Sequence, residues 1–168
     1  MASIVNTLRE LGSSSDGLVA LFDARSVAGE RHLYSAWAHL GRSRGRGEVR
    51  LRDRAAELAL FVAGDDQLPR ALEKVGVSDS ALQLVLVAEK PRDPASLLER
   101  FELDPDPSAY PRPVDEATLE RLGIGPAERN AVPRSAWEGL VLERVAFVEL
   151  AAPPGRGSSA KPHSSPSR

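Results

Sequence analysis

The sequence predicts a mixed α+β fold, a single domain with a small central β-sheet flanked by several α-helices. Three observations carry that prediction. Two short apolar runs of strand length, Leu18–Phe22 and Leu82–Ala88, are bounded by polar or turn-forming residues. Apolar residues at helical spacing fill several segments between and after them. The chain has 168 residues, 42% hydrophobic and 27% charged, which is the size and composition of one globular domain.

Residues 1–17 hold a short possible helix, Ile4–Leu11, followed by the linker-like Gly12–Gly17, so ordered structure is expected to begin near Leu18. Leu18–Phe22 reads as a strand that Asp23 and Arg25 bring to a polar end. In Glu30–Leu40, Leu33, Ala36, Trp37 and Leu40 recur at i, i+3, i+4 and i+7, which predicts a helix packed inward through Trp37. Gly41–Gly47 alternates glycine with arginine and serine and reads as a mobile loop. Ala55–Ala63 is almost wholly apolar with Glu57 as its one charge, which predicts a helix buried on most sides. Gly64-Asp65-Asp66 breaks it. An aspartate can cap the next helix, which begins near Gln67, accommodates Pro69 in its first turn, and is expected to end on a left-handed Gly76.

Leu82–Ala88 reads as a buried central strand. Asp93-Pro94 opens a helix through Phe101, the prolines from 105 to 113 form a rigid loop, and Asp115 caps a helix ending at Gly123. Ser135 and Glu138 have capping-box spacing, predicting a helix to about Arg144. Val145, Phe147 and Val148 then favour a strand that closes the sheet. Beyond Pro153 the composition is Gly, Ser, Pro and Lys without apolar periodicity, so 152–168 is expected to be disordered and the domain to span 18–151.

Composition excludes several kinds of chemistry. With no cysteine there are no disulfides, thiolate nucleophiles or iron-sulfur clusters. No apolar run approaches the roughly 20 residues a membrane span needs, and the N-terminus lacks a secretory signal, so a cytoplasmic protein with no membrane partner is expected. Walker A, HExxH, GxSxG and dinucleotide-fingerprint sequences are absent, and the glycines at 41, 45 and 47 have the wrong order and context for a phosphate loop. His32 and His39 make a poor metal pair without cysteine or a carboxylate partner. No catalytic residue, metal or cofactor is therefore expected.

Two features remain. Glu57, in an apolar helix, requires a partner, and Arg52, Arg54 or Arg31 could supply it; with His32 it is read as structural. The net charge of −2 argues against a generally basic surface, yet six arginines at 42, 44, 46, 50, 52 and 54 lie within thirteen residues. They could form a solvated loop, a phosphate-binding patch whose binding weakens steeply with salt, or a surface for an acidic protein.

Three ordered blocks are similar to the accessory subunits of the KEOPS complex that include PRPK-binding protein (TPRKB), in the microbial, archaeal-type branch. Asp23-Ala24-Arg25 with His32-Leu33 and Ala36 resembles the first. Glu57 to Leu68, continuing into Ala71-Leu72 and Val75-Gly76-Val77, resembles the distinctive middle one, and Leu140 to Leu150 resembles the closing segment. The resemblance covers roughly Leu18 to Leu150; the arginine-glycine loop, Asp65-Asp66 and the tail depart from it. It implies a non-catalytic subunit that binds and stimulates the kinase-like ATPase subunit, contacts the other subunits indirectly, and brings tRNA by its 3′ CCA end for threonylcarbamoyladenosine modification. The RNA contacts are then expected at Arg50, Arg52, Arg54, Gly64, Gln67, Leu68 and Arg70. Those to the kinase-like partner are expected at Leu140, Leu142, Val145 and Phe147. The alternatives are a protein scaffold without RNA contact, and a small enzyme acting on a phosphorylated metabolite through Glu57, His32 and arginines.

Overall fold

The computed structural model describes residues 17–89, 93–107 and 113–151. The expected N-terminal helix at 4–11, the tail at 152–168 and part of the proline-rich loop lie outside them. In chain order the elements are β1 (Val19–Asp23), a 3-10 turn (Ala24–Ser26), α1 (Glu30–Gly45), α2 (Arg54–Ala63), α3 (Leu68–Val75) and β2 (Leu84–Ala88). They continue as α4 (Pro94–Arg100), α5 (Glu116–Arg121), α6 (Pro126–Asn130), a second 3-10 turn (Arg134–Ala136) and α7 (Trp137–Leu150). This is a small mixed α+β domain.

β1 and β2 pair antiparallel, with Leu21 opposite Leu86. Every residue of β1 is buried, because the strand lies between two apolar clusters. Leu18, Ala20 and Phe22 face the main core with α1, α2, α3, α5 and α7, while Val19 and Leu21 face Leu97 and Phe101 of the α4 segment. Alternate side chains thus serve opposite faces, as the two-residue strand period requires. β2 is only half-buried, starts at Leu84 rather than Leu82, and is an edge strand instead of the buried central strand its apolar run suggests. The main core centres on α2, whose residues from Glu57 to Ala63 are all buried. Full burial of Phe61 alone stabilises the fold by roughly 1.5–3 kcal/mol.

The 145–148 segment is not a strand. α7 runs unbroken from Trp137 to Leu150 and buries Trp137, Val141, Val145 and Val148, a helical spacing that outweighs the β-branched composition. No third strand therefore closes the sheet among the described residues. The expected capping box is also absent: a 3-10 turn precedes α7, and Glu138 instead accepts from Arg31. Nor is Gly41–Gly47 a loop, since α1 continues to Gly45. Buried Ser43 donates to the Glu48 carbonyl, and Arg44 and Arg46 are tied to carboxylates. These side-chain anchors offset the entropy of ordering the two glycines.

Glycine acts differently at the two ends of the α2–α3 pair. Gly64 caps α2 with φ +60, the left-handed conformation. Gly76, with φ −66, is not left-handed, but a Cβ there would run into the Leu72 carbonyl. Asp93 and Asp115 cap α4 and α5 through their side chains.

Candidate functional site

The arginine cluster folds into a clasp over α1, α2 and α7. Buried Glu57 accepts from Arg44 Nε at 2.7 Å and from the Arg50 backbone N–H at 3.0 Å. Its guanidinium partner is thus Arg44, not Arg52, Arg54 or Arg31, because the extended α1 carries Arg44 over α2. Arg44 also donates to the Leu51 carbonyl at 2.7 Å, fixing the segment between the helices. Arg46 binds both Glu48 and Glu149, and Arg42 approaches Glu149 at 3.5 Å. Arg50 donates to the Val148 carbonyl in the last turn of α7, where a cation also complements the helix dipole. Arg54 pairs with Glu89 and lies over the Trp37 ring at 5.9 Å. Only Arg52 has an exposed side chain with no partner among the described residues.

The two histidines of α1 do not converge. His32 is fully buried, accepts from the Ala28 N–H at Nδ1 and donates from Nε2 to the Val62 carbonyl. Burial pushes its pKa down to about 4, and the Val62 bond only partly opposes this. His39 meets Glu149 and stacks against Phe61 at 6.2 Å. Burial pushes the Glu149 carboxyl up, but its bonds to Arg46 and His39 outweigh that and leave it below its ordinary value.

The Gly64 turn, α3 and α7 enclose a polar cleft of about 290 Å³. The left-handed turn lets the chain reverse directly against α7: a Cβ on Gly64 would stand 2.6 Å from the Arg144 Cβ. Asp65 accepts the Gln67 N–H at 3.0 Å, setting the start of α3, and pairs with Arg70 at 2.9 Å and Lys74 at 3.0 Å. Burial raises the Asp65 pKa, but these donors more than reverse the effect and bring it to about 2. Arg70 keeps 61% of its side chain exposed despite the pairing. Arg144, paired with Glu128, and the exposed ring of Phe147 complete the wall.

The residues expected at the two interfaces are therefore redistributed. Gly64 and Arg70 line the cleft, exposed Gln67 and half-buried Leu68 begin the adjoining helix, and Arg50 and Arg54 hold the fold internally. Of the residues expected at the protein interface, Val145 is in the core, Leu140 and Leu142 are half-buried, and Phe147 is exposed beside the Gly64 turn. Lys74 and Arg144 were not singled out from the sequence, and no local pattern marks them. They reach the cleft because α3 and α7 pack on α2.

Among the described residues no group of three or more His, Asp or Glu side chains is arranged to hold a metal. Among the same residues no helix is long and apolar enough to cross a membrane. The chain matches no protein-family model and no curated protein.

Proposed function

We propose that this protein is a non-catalytic accessory subunit of a KEOPS-type complex, acting in the cytoplasm to bind the kinase-like ATPase subunit and to hold the 3′ CCA end of tRNA. The observation that carries the RNA half is the Gly64 cleft. It combines a tight backbone turn, three cations from two helices, the Asp65 and Asp66 carboxylates that hold Arg70 and Lys74, and an exposed aromatic ring. Single-stranded ends are held by this mixture, with phosphates on the cations and a base on the ring. Phe147 is better placed for base stacking than for protein docking, since it shares the cleft with Arg70, Lys74 and Arg144.

Partner recognition rests on the three-block resemblance. The binding reading is favoured over an enzyme built on Glu57 and His32 because both side chains are closed to solvent and bonded within the core. A substrate could not reach either without opening α2.

Co-purification with the kinase-like subunit, followed by its ATPase rate with and without tRNA, tests the reading. A stable complex whose ATPase rises with tRNA is expected. Failure of both association and stimulation overturns it; association without any tRNA contact would leave the scaffold reading in its place.

A further inference from the structure

The described chain begins at Gly17, directly against Glu89. A Cβ added at Gly17 would stand 3.6 Å from Glu89 Cβ, and the Leu18 N–H donates to the Glu89 carboxylate. Glu89 follows β2, and Arg54 links it to α1 by pairing with its carboxylate and lying over the Trp37 ring. Residues before Gly17 therefore leave the domain at one end of a groove of about 370 Å³, walled by Leu33, Tyr34 and Trp37 of α1 and by Leu86 to Ala88 of β2. Glu30 stands at the other end, seven residues before Trp37 and so about 10.5 Å from it along the helix axis. The groove is apolar and open, with Tyr34 72% exposed. Among the described residues β2 pairs with β1 alone. It carries neither charge nor proline, two of the devices that guard a sheet edge; a covering helix is another.

We infer that the chain's own segment Ile4–Leu11 covers this groove as an amphipathic helix running parallel to α1. In a helix, Ile4, Leu8 and Leu11 share one face with Val5 at its flank, and Asn6, Arg9 and Glu10 lie opposite. From Ile4 to Leu11 the helix measures about 10.5 Å, the span from Glu30 to Trp37. Gly12–Asp16 joins it to Gly17, and these five residues reach at most about 17 Å. Gly12, three serines and Gly17 at φ +97 supply the reversal that sends the chain from such a helix into β1. This connection sets Leu11 at the Trp37 end and Ile4 at the Glu30 end, where the carboxylate complements the positive N-terminus of the helix. The tether also decides between occupants. A short linker gives an effective concentration of order millimolar, so at micromolar protein the attached segment outcompetes an equal segment of a second copy or of another protein by about a thousandfold. The site is independent of the Gly64 cleft and of the KEOPS reading.

The chain has no cysteine, so an introduced pair gives an unambiguous crosslink. Leu8→Cys combined with Tyr34→Cys, oxidised by glutathione disulfide at micromolar protein, should close within one chain at least tenfold faster than Asn6→Cys combined with Tyr34→Cys. Asn6 lies on the opposite face of the helix at nearly the same tether length, so a segment that is merely attached would close both pairs at the same rate. Amide exchange in the full chain gives a second readout. A helix of eight residues is too short to persist alone, so the amides of Leu8 to Leu11 should exchange at least tenfold more slowly in the wild-type chain than in an Ile4→Asp, Leu8→Asp variant, with protection in α2 the same in both. Equal closure of the two cysteine pairs, or equal exchange at those amides, overturns the proposal. Crosslinked products that are mainly dimers, in a proportion growing with protein concentration, also overturn it and assign the groove to a second copy.

Discussion

Removing the Glu57 carboxylate would leave the Arg44 guanidinium over α2 with only main-chain carbonyls to bond, and would free the Arg50 N–H that it now accepts. Breaking one side of a buried pair costs about 3–5 kcal/mol, so Glu57→Ala should destabilise the fold by about 3 kcal/mol in urea denaturation. Arg52→Ala, at the one arginine of the cluster without a side-chain partner, should stay within about 0.5 kcal/mol. Equal effects of the two would remove the clasp from the account. His32 sets a pH dependence of definite sign. Its folded pKa, about 4, lies below the ordinary 6.5, so the unfolded chain binds the proton more tightly. The neutral ring's contribution is complete above pH 6.5 and is lost as pH falls toward 4, by about 3 kcal/mol in all. Unfolding midpoints between pH 7 and 4.5 should fall accordingly, and a His32→Gln variant should show a flatter profile over that interval.

The Gly64 turn joins α2 to α3 and meets α7, so one substitution there acts on three elements. Gly64→Ala combines the roughly 1–2 kcal/mol cost of a left-handed alanine with a contact at 2.6 Å from Arg144 Cβ, a backbone-anchored atom that cannot swing away. A loss of at least 2 kcal/mol is expected by thermal or urea unfolding, with α7 displaced from the cleft. Gly139→Ala, where a Cβ would meet nothing within 4 Å, is the control and should be neutral or stabilising. The helices around this turn were legible in the sequence because their caps and apolar spacing are local: Gly64, Asp93 and Asp115 stand where the elements end or begin. The end of α7 at Val145–Val148 is ambiguous in the sequence, because its β-branched composition favours a strand while the 141, 145, 148 spacing is that of a buried helix face. The extension of α1 through Gly45 was not legible at all. It depends on Arg44 and Arg46 reaching Glu57 and Glu149, contacts between segments far apart in the chain. The cleft was half legible for the same reason: its turn is a local signal, whereas Arg144, Lys74 and Phe147 arrive through helix packing.

Across the whole molecule, the arginine-rich segment serves the fold more than the surface. Five of the six clustered arginines bond to carboxylates or carbonyls of this chain and lie away from the cleft, whose own cations, Arg70, Lys74 and Arg144, are paired with Asp65, Asp66 and Glu128 and would meet phosphates only by exchanging those carboxylates. If those three meet phosphates, the slope of log affinity against log salt should be about −2, shallower than a patch of six free arginines would give. Phe147→Ala should reduce RNA affinity by about 1–3 kcal/mol through lost stacking, with stability changed by less than about 1 kcal/mol because the ring is 57% exposed. The central claim is that the cleft holds the single-stranded end of tRNA. Binding of intact tRNA and of the same tRNA trimmed of its 3′ CCA, compared at one salt concentration for the wild-type chain and for Phe147→Ala, tests it most directly. At least tenfold weaker binding of the trimmed tRNA is expected, with the difference largely abolished by Phe147→Ala; equal binding of intact and trimmed tRNA by the wild-type chain would contradict it.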